Sequence, residues 1–149
     1  MTALLWPLLG IMAGAFLAIQ APINTALART LGLTTAAAAS SFLAGAAALL
    51  LLSFALERAE GVSIAWTAPP LWMLLAGGLL GAGYVTSIII LTPRLGTAAT
   101  MAFIVTGQLL GGLMLDRLGY FGLVVRELTV GRIAGAGLLL AGALLIRFA

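Results

Sequence analysis

Charged side chains stand almost only at the breaks between long apolar runs: eleven in 149 residues, none of them deep within a run. A bilayer's hydrocarbon core needs about 20 consecutive apolar residues per helix, within a range of about 17–25. Five stretches meet that requirement, at about 4–28, 33–56, 70–91, 97–115 and 130–147. Each break carries a charge or a turn-forming residue: Arg29 and Gly32, Glu57 to Gly61, Pro69-Pro70, Pro93 to Gly96, Asp116-Arg117, and Gly131-Arg132. The residues from Leu118 to Val125 are apolar but too few to span, and are expected to form an interfacial connector. The expected fold is therefore all-α and membrane-embedded, a single five-helix domain over residues 1–149, with consecutive helices antiparallel.

Composition closes the other routes. The chain is 63% hydrophobic and 7% charged, against roughly a quarter charged in ordinary soluble domains. A chain of this size cannot bury that much apolar surface in water, so lipid is its solvent. Cysteine and histidine are absent, which removes disulfides, thiol nucleophiles, Cys/His metal sites and a Ser-His-Asp triad. No metal or cofactor is expected. The few acids, Glu57, Glu60, Asp116 and Glu127, are scattered among the breaks, and no enzyme constellation is expected. Seven dispersed arginines give a net charge of +3 without a clustered basic face, so nucleic acid is not an expected partner. Arginine without lysine suggests a GC-rich, bacterial origin. The first run lacks a basic leading segment and is too long for a signal-peptide core, so it is expected to be a retained span.

Orientation is ambiguous in an informative way. With five spans, Arg58, Arg117, Arg126 and Arg132 fall on one side of the bilayer and Arg29, Arg94 and Arg147 on the other. Arginine/lysine bias normally sets orientation; here it is nearly balanced. One reading is a weak bias resolved by other determinants. The other is insertion both ways, with pairing into an antiparallel, dual-topology homodimer. Trp6, Trp66, Trp72 and Tyr120 all fall at one interface, and an antiparallel pair would give both leaflets an aromatic belt.

Small residues spaced four apart let helices approach closely in lipid. They occur as Gly10/Gly14, Gly77/Gly81, Gly107/Gly111 and Gly131/Gly135. Gly135 and Gly142, seven apart, are the candidate dimer seam; packing within one chain is the equal alternative.

Polar residues inside the spans carry the functional expectation. Gln20 and Asn24 share a helix face and bracket Pro22, which cannot donate to the Ala18 carbonyl and should loosen the helix. Tyr84 lies on a glycine-lined face of the third span with Ser87 or Ile88, and Gln108 sits near mid-span in the fourth. Gln20, Asn24, Tyr84 and Gln108 are the candidate solute-binding residues, with Pro22, Ser87 and Asp116 as candidates for gating or coupling. Two uses stay open for each carboxamide: lining a pathway, or holding helices together. For Tyr84 and the serines the plainer reading is structural. Proton-driven exchange usually needs a carboxylate raised in pKa by desolvation. Asp116 serves only if it faces a cavity; otherwise it is an interfacial anchor for Arg117 or Arg132.

Several motifs follow one another in order: Gln20-Ala-Pro-Ile-Asn24, Gly77-Gly78 through Gly81 to Tyr84, Pro93-Arg-Leu-Gly96, Gly107-Gln108, Asp116-Arg-Leu-Gly119, and Arg132-Ile-Ala-Gly135 before Gly142. Together they resemble the small five-span, YdcZ-type branch of the drug/metabolite transporter superfamily, over nearly the whole chain. That resemblance implies a multi-pass protein of the bacterial inner membrane, an exporter-type activity and dual-topology homodimers. The related four-span multidrug exporters use a membrane-embedded glutamate in their first helix. Only Gln20 and Asn24 stand there in this chain, so that coupling mechanism does not carry over. The expected function is a secondary transporter or facilitator for a small polar or amphipathic solute. A dual-topology channel is the alternative, and a non-transporting membrane scaffold a third reading.

Overall fold

A computed structural model describes residues 2–149, with side chains from Leu4 onward. Its five long helices are α1 (Thr2–Leu31), α2 (Thr34–Glu60), α3 (Leu71–Leu95), α4 (Thr97–Leu118) and α5 (Val130–Phe148). Each is long and apolar enough to cross a membrane. A short 3₁₀ turn at Tyr120–Gly122 opens the connector between α4 and α5. At 1.5 Å per residue, the 22 residues of α4 reach about 33 Å, against a hydrocarbon core about 30 Å thick.

The helices run past the ends of the apolar stretches, because a charge ends an apolar run without ending a helix. Each of the five has an arginine in its last turn: Arg29, Arg58, Arg94, Arg117 and Arg147. Arginine is a good helix former, and the negative end of the helix dipole favours a cation there. One arginine per helix end is the local origin of the even spacing of arginine along the chain. Glycine then stops α2 and α4: Gly61 and Gly119 are left-handed caps, with φ of 66° and 62°, a conformation that costs a side-chain-bearing residue about 1–2 kcal/mol. At Gly119 the space is closed as well, since an added Cβ would lie 2.6 Å from Val125 Cγ2.

The chain divides into two compact units, one ending at Ile90 and the other comprising Leu91–Ala149. In the first, the two-residue turn at Gly32-Leu33 folds α1 and α2 into a hairpin. Its core is small and aliphatic: Ala37 and Ala38 of α2 meet Val85 and Ile89 of α3, with Leu27, Ala28 and Tyr84 packed against them. Alanine at the contact lets backbones approach, which matters where lipid removes the hydrophobic drive to associate. Close approach also occurs at Gly81, where an added Cβ would lie 3.0 Å from the Phe42 ring. Helix α1 continues without interruption through Pro7 and Pro22, so the loosening expected at Pro22 does not break the helix.

In the second unit α4 packs on α5. The connector turns back at Gly119, where Arg126 N donates to the Asp116 carbonyl at 2.8 Å. Thr129 caps α5, its hydroxyl accepting from Arg132 N at 3.3 Å; a threonine in this position satisfies one of the helix's otherwise orphaned donors. The buried residues of α5 are Ala136 and Ala143, seven apart. Gly135 and Gly142 lie one position earlier, and a Cβ on either would meet nothing within 4 Å among the described residues. Alanine therefore makes the packing face of α5, and the glycine face beside it is open. Across both units, large apolar side chains such as Leu43, Leu79, Val130 and Leu138 stand more than 70% exposed, as lipid-facing surface requires.

Candidate functional site

Two polar sites emerge, one in each unit. In the first, Gln20 and Asn24 project from the same face of α1 and meet one hydroxyl. Gln20 Nε2 donates to Ser41 Oγ at 3.3 Å, and Asn24 Nδ2 donates to the same oxygen at 3.4 Å. Asn24 is buried and Gln20 half-buried. Both bonds are longer than the usual 2.9–3.0 Å, so they hold the hairpin loosely. Beside them lies a cavity of about 310 Å³ whose walls are otherwise apolar: Phe42, Gly45, Ala46, Leu49 and Val85 surround Gln20 and Ser41. A pocket of this kind, apolar with a few convergent polar groups, is the usual form of a small-molecule site.

The other candidates in this unit, Tyr84 and Ser87, make contacts outside this pocket's lining. Tyr84 is half-buried and packs its ring against the aliphatic core. Ser87 is exposed and donates to the carbonyl of Gly83, one turn back on its own helix, at 2.8 Å. Thr25 and Ser40 do the same with Ala21 and Ala36, as helical Ser and Thr commonly do. Ser40 and Ser41 look alike in the sequence. Only Ser41 faces the carboxamides.

In the second unit Gln108 lines a groove of about 460 Å³ together with Gly112 and Asp116 of α4 and Arg132 and Gly135 of α5. Asp116 Oδ2 pairs with Arg132 Nη2 at 3.1 Å, each side chain about one-third exposed. Of the two partners the sequence offered, geometry selects Arg132, because residues 116 and 132 face each other where α4 ends and α5 begins. Among the described residues no group of three or more His, Cys, Asp or Glu side chains is arranged to hold a metal ion. The structure thus gathers Gln20 and Asn24 at one site, and Gln108, Asp116 and Gly135 at another. Sequence reasoning missed the convergence on Ser41 and the part of Arg132 in the groove; the i, i+4, i+8 file of Gln108, Gly112 and Asp116 was the available clue to the second.

Five helices of membrane-spanning length, with a sparse polar site in each unit, define a multi-pass, all-α membrane protein. The family described as "Putative inner membrane exporter, YdcZ" matches residues 5–145, and the chain belongs to that family. It is also similar to the inner membrane protein YdcZ of Escherichia coli (strain K12), with 44% identity over 75 residues, half of each chain. The chain thus spans about half the length of the curated relative it matches. No solved structure matches it.

Proposed function

We propose that the chain is a secondary transporter or facilitator that exports a small polar or amphipathic solute, working as an antiparallel homodimer. The observation that carries the reading is the pocket at Gln20 and Ser41. It places a carboxamide and a hydroxyl on the wall of an open, mostly apolar pocket lined from membrane-length helices α1, α2 and α3. Those groups offer donors and acceptors but no charge. That suits a solute recognised by hydrogen bonds, with its apolar part against Phe42, Leu49 and Val85. Membership of an inner-membrane exporter family supports the class of activity. Asn24 buttresses the pocket through the shared Ser41 oxygen, and Tyr84 supports it from the adjoining core. Pro22 sits between the two carboxamides, and its missing N–H leaves the Ala18 carbonyl without its helical donor, a local softness on which gating can draw.

The pairing rests on the near-even arginine distribution and the one-sided aromatic belt. The open face at Gly142 offers a surface for a second copy, with Gly135, one heptad earlier, at the edge of the groove beside Gln108. An odd number of spans cannot be divided into two equal inverted halves. Two oppositely inserted chains supply such halves, and transporters commonly build their midplane sites between them.

Flux through liposomes containing the purified protein tests the assignment. Gln20→Ala should reduce transport several-fold while the protein still folds and pairs; unchanged flux removes the pocket from the pathway. A second reading, a channel, is favoured by the position of the acids. Glu57 and Glu60 lie in the last turn of α2, Asp116 near the end of α4, and Glu127 in the connector. Uncharged polar pores need no coupling carboxylate. Saturable exchange supports the carrier, and unitary conductance steps support the channel.

A further inference from the structure

Arg132 is placed against the trend of the chain. The arginines at helix C-termini sit where the dipole favours a cation, whereas Arg132 occupies the first turn of α5, where it disfavours one. Asp116 holds it, but through a single contact, Nη2 to Oδ2 at 3.1 Å. Arg132 Nη1 is shut off from solvent and has no hydrogen-bond partner among the described residues. Burying a charged donor unpaired is expensive. A guanidinium also presents a planar fork suited to two oxygens of a carboxylate. Asp116 uses only part of that capacity.

The groove in front of this pair has a polarity gradient. Asp116 and Arg132 stand at its outer end, and Gln108 lies eight residues back along α4, about 12 Å deeper at the helical rise. Gln108 is exposed at the middle of α4, a depth at which lipid cannot satisfy an amide. Between these ends the walls are low, because a Cβ at Gly112 or Gly135 would meet nothing within 4 Å among the described residues. A ligand matched to this gradient has an anionic oxygen group at one end and a neutral body able to meet an amide at the other.

We propose that the α4–α5 groove binds a small amphipathic carboxylate, with its anionic group on the Arg132 guanidinium and its body extending over Gly112 toward Gln108. Arg132 is about 29% exposed, so turning it from Asp116 delivers both terminal nitrogens to the ligand. Asp116 thereby competes with the ligand for the same cation and holds the empty groove neutral. The proposal goes beyond the transporter reading, which rests on the uncharged pocket at Gln20 and Ser41, by assigning a ligand class to a second groove. Its test reads binding in detergent, so it stands or falls separately from flux.

Thermal unfolding of the full-length protein in dodecyl maltoside at neutral pH, titrated with hexanoate, hexanol and hexylammonium, tests it. Hexanoate should raise the melting temperature saturably, while hexanol and hexylammonium should not. Arg132→Gln should weaken the hexanoate effect about 10- to 100-fold, the loss expected for charged hydrogen bonds. Asp116→Asn should strengthen the effect by removing the competitor, although a purely structural ion pair would give no such gain. Arg132→Lys keeps the charge but not the fork, so it should bind with intermediate strength; it serves as the reading if Arg132→Gln does not fold. No shift with hexanoate, an equal shift in Arg132→Gln, or a preference for hexylammonium overturns the proposal. An Arg132-dependent shift with phosphatidylglycerol but none with hexanoate assigns the site to a lipid headgroup and likewise overturns it.

Discussion

Replacing Ser41 by alanine isolates the contact on which the first site depends. The Ser41 oxygen accepts from both Gln20 and Asn24, at 3.3 and 3.4 Å. Hydrogen bonds between membrane helices average about 0.6 kcal/mol, with a maximum near 1.7. At these lengths both bonds belong in the lower half of that range, so together they contribute about 1 kcal/mol. Asn24 is only 4% exposed, and its amide loses this partner without gaining water, a penalty that starts at about 1 kcal/mol. Ser41→Ala should therefore cost about 1–2 kcal/mol, a five- to thirty-fold change in the folding equilibrium. Ser40→Ala is the internal control, because Ser40 is exposed and bonded to its own helix at Ala36; it should fall within about 0.5 kcal/mol of the parent. Reversible unfolding in mixed micelles, with a double-mutant cycle between Ser41→Ala and Asn24→Ala, measures both quantities. The cycle should return a coupling of about 0.5–1 kcal/mol. Equal effects of the two serine variants, or a coupling of zero, would refute the reasoning.

Glycine substitutions separate close helix contact from open surface. Gly81→Val should destabilise by about 1–3 kcal/mol through overpacking against the Phe42 ring, which an added Cβ would approach to 3.0 Å. Phe42→Ala should relieve much of that loss, and Gly77→Ala, which meets nothing among the described residues, should be tolerated; both are read by the same unfolding assay. Gly119→Ala should cost at least the left-handed backbone strain of about 1–2 kcal/mol, and adding Val125→Ala should recover only the steric part. Gln108→Ala should reduce flux in liposomes while leaving the melting temperature within a few degrees of the parent, and a large drop in stability with unchanged flux would make Gln108 a packing residue.

The helices were legible because lipid imposes a length on an apolar run, and five runs of that length stand in the chain. Their ends were less so. The fourth run closes at 115 while α4 continues to Leu118, since Asp116 and Arg117 leave the hydrocarbon without leaving the helix. Gln20 and Asn24 could be placed on one face from their spacing alone. Their meeting at Ser41 could not be, because the rotation of α2 is set by tertiary packing of Ala37 and Ala38 and leaves no periodic trace in a helix apolar nearly all round. The same limit explains α5, where glycine spacing drew attention to Gly135 and Gly142 while the chain packs α5 through Ala136 and Ala143. Arg132 was visible as a charge at the fifth span's start and as one of two partners for Asp116; its place at the unfavourable end of a helix dipole became clear once the helix boundaries were known.

The even placement of arginine now has a local cause, one cation at each helix C-terminus, and its consequence for insertion remains directly measurable. A reporter fused after Ala149, active on only one side of the membrane, can be read in intact cells alongside a counterpart active only on the other. The antiparallel-pair account expects both reporters to be active at comparable levels. Activity of one reporter alone would mean a single orientation and would contradict it.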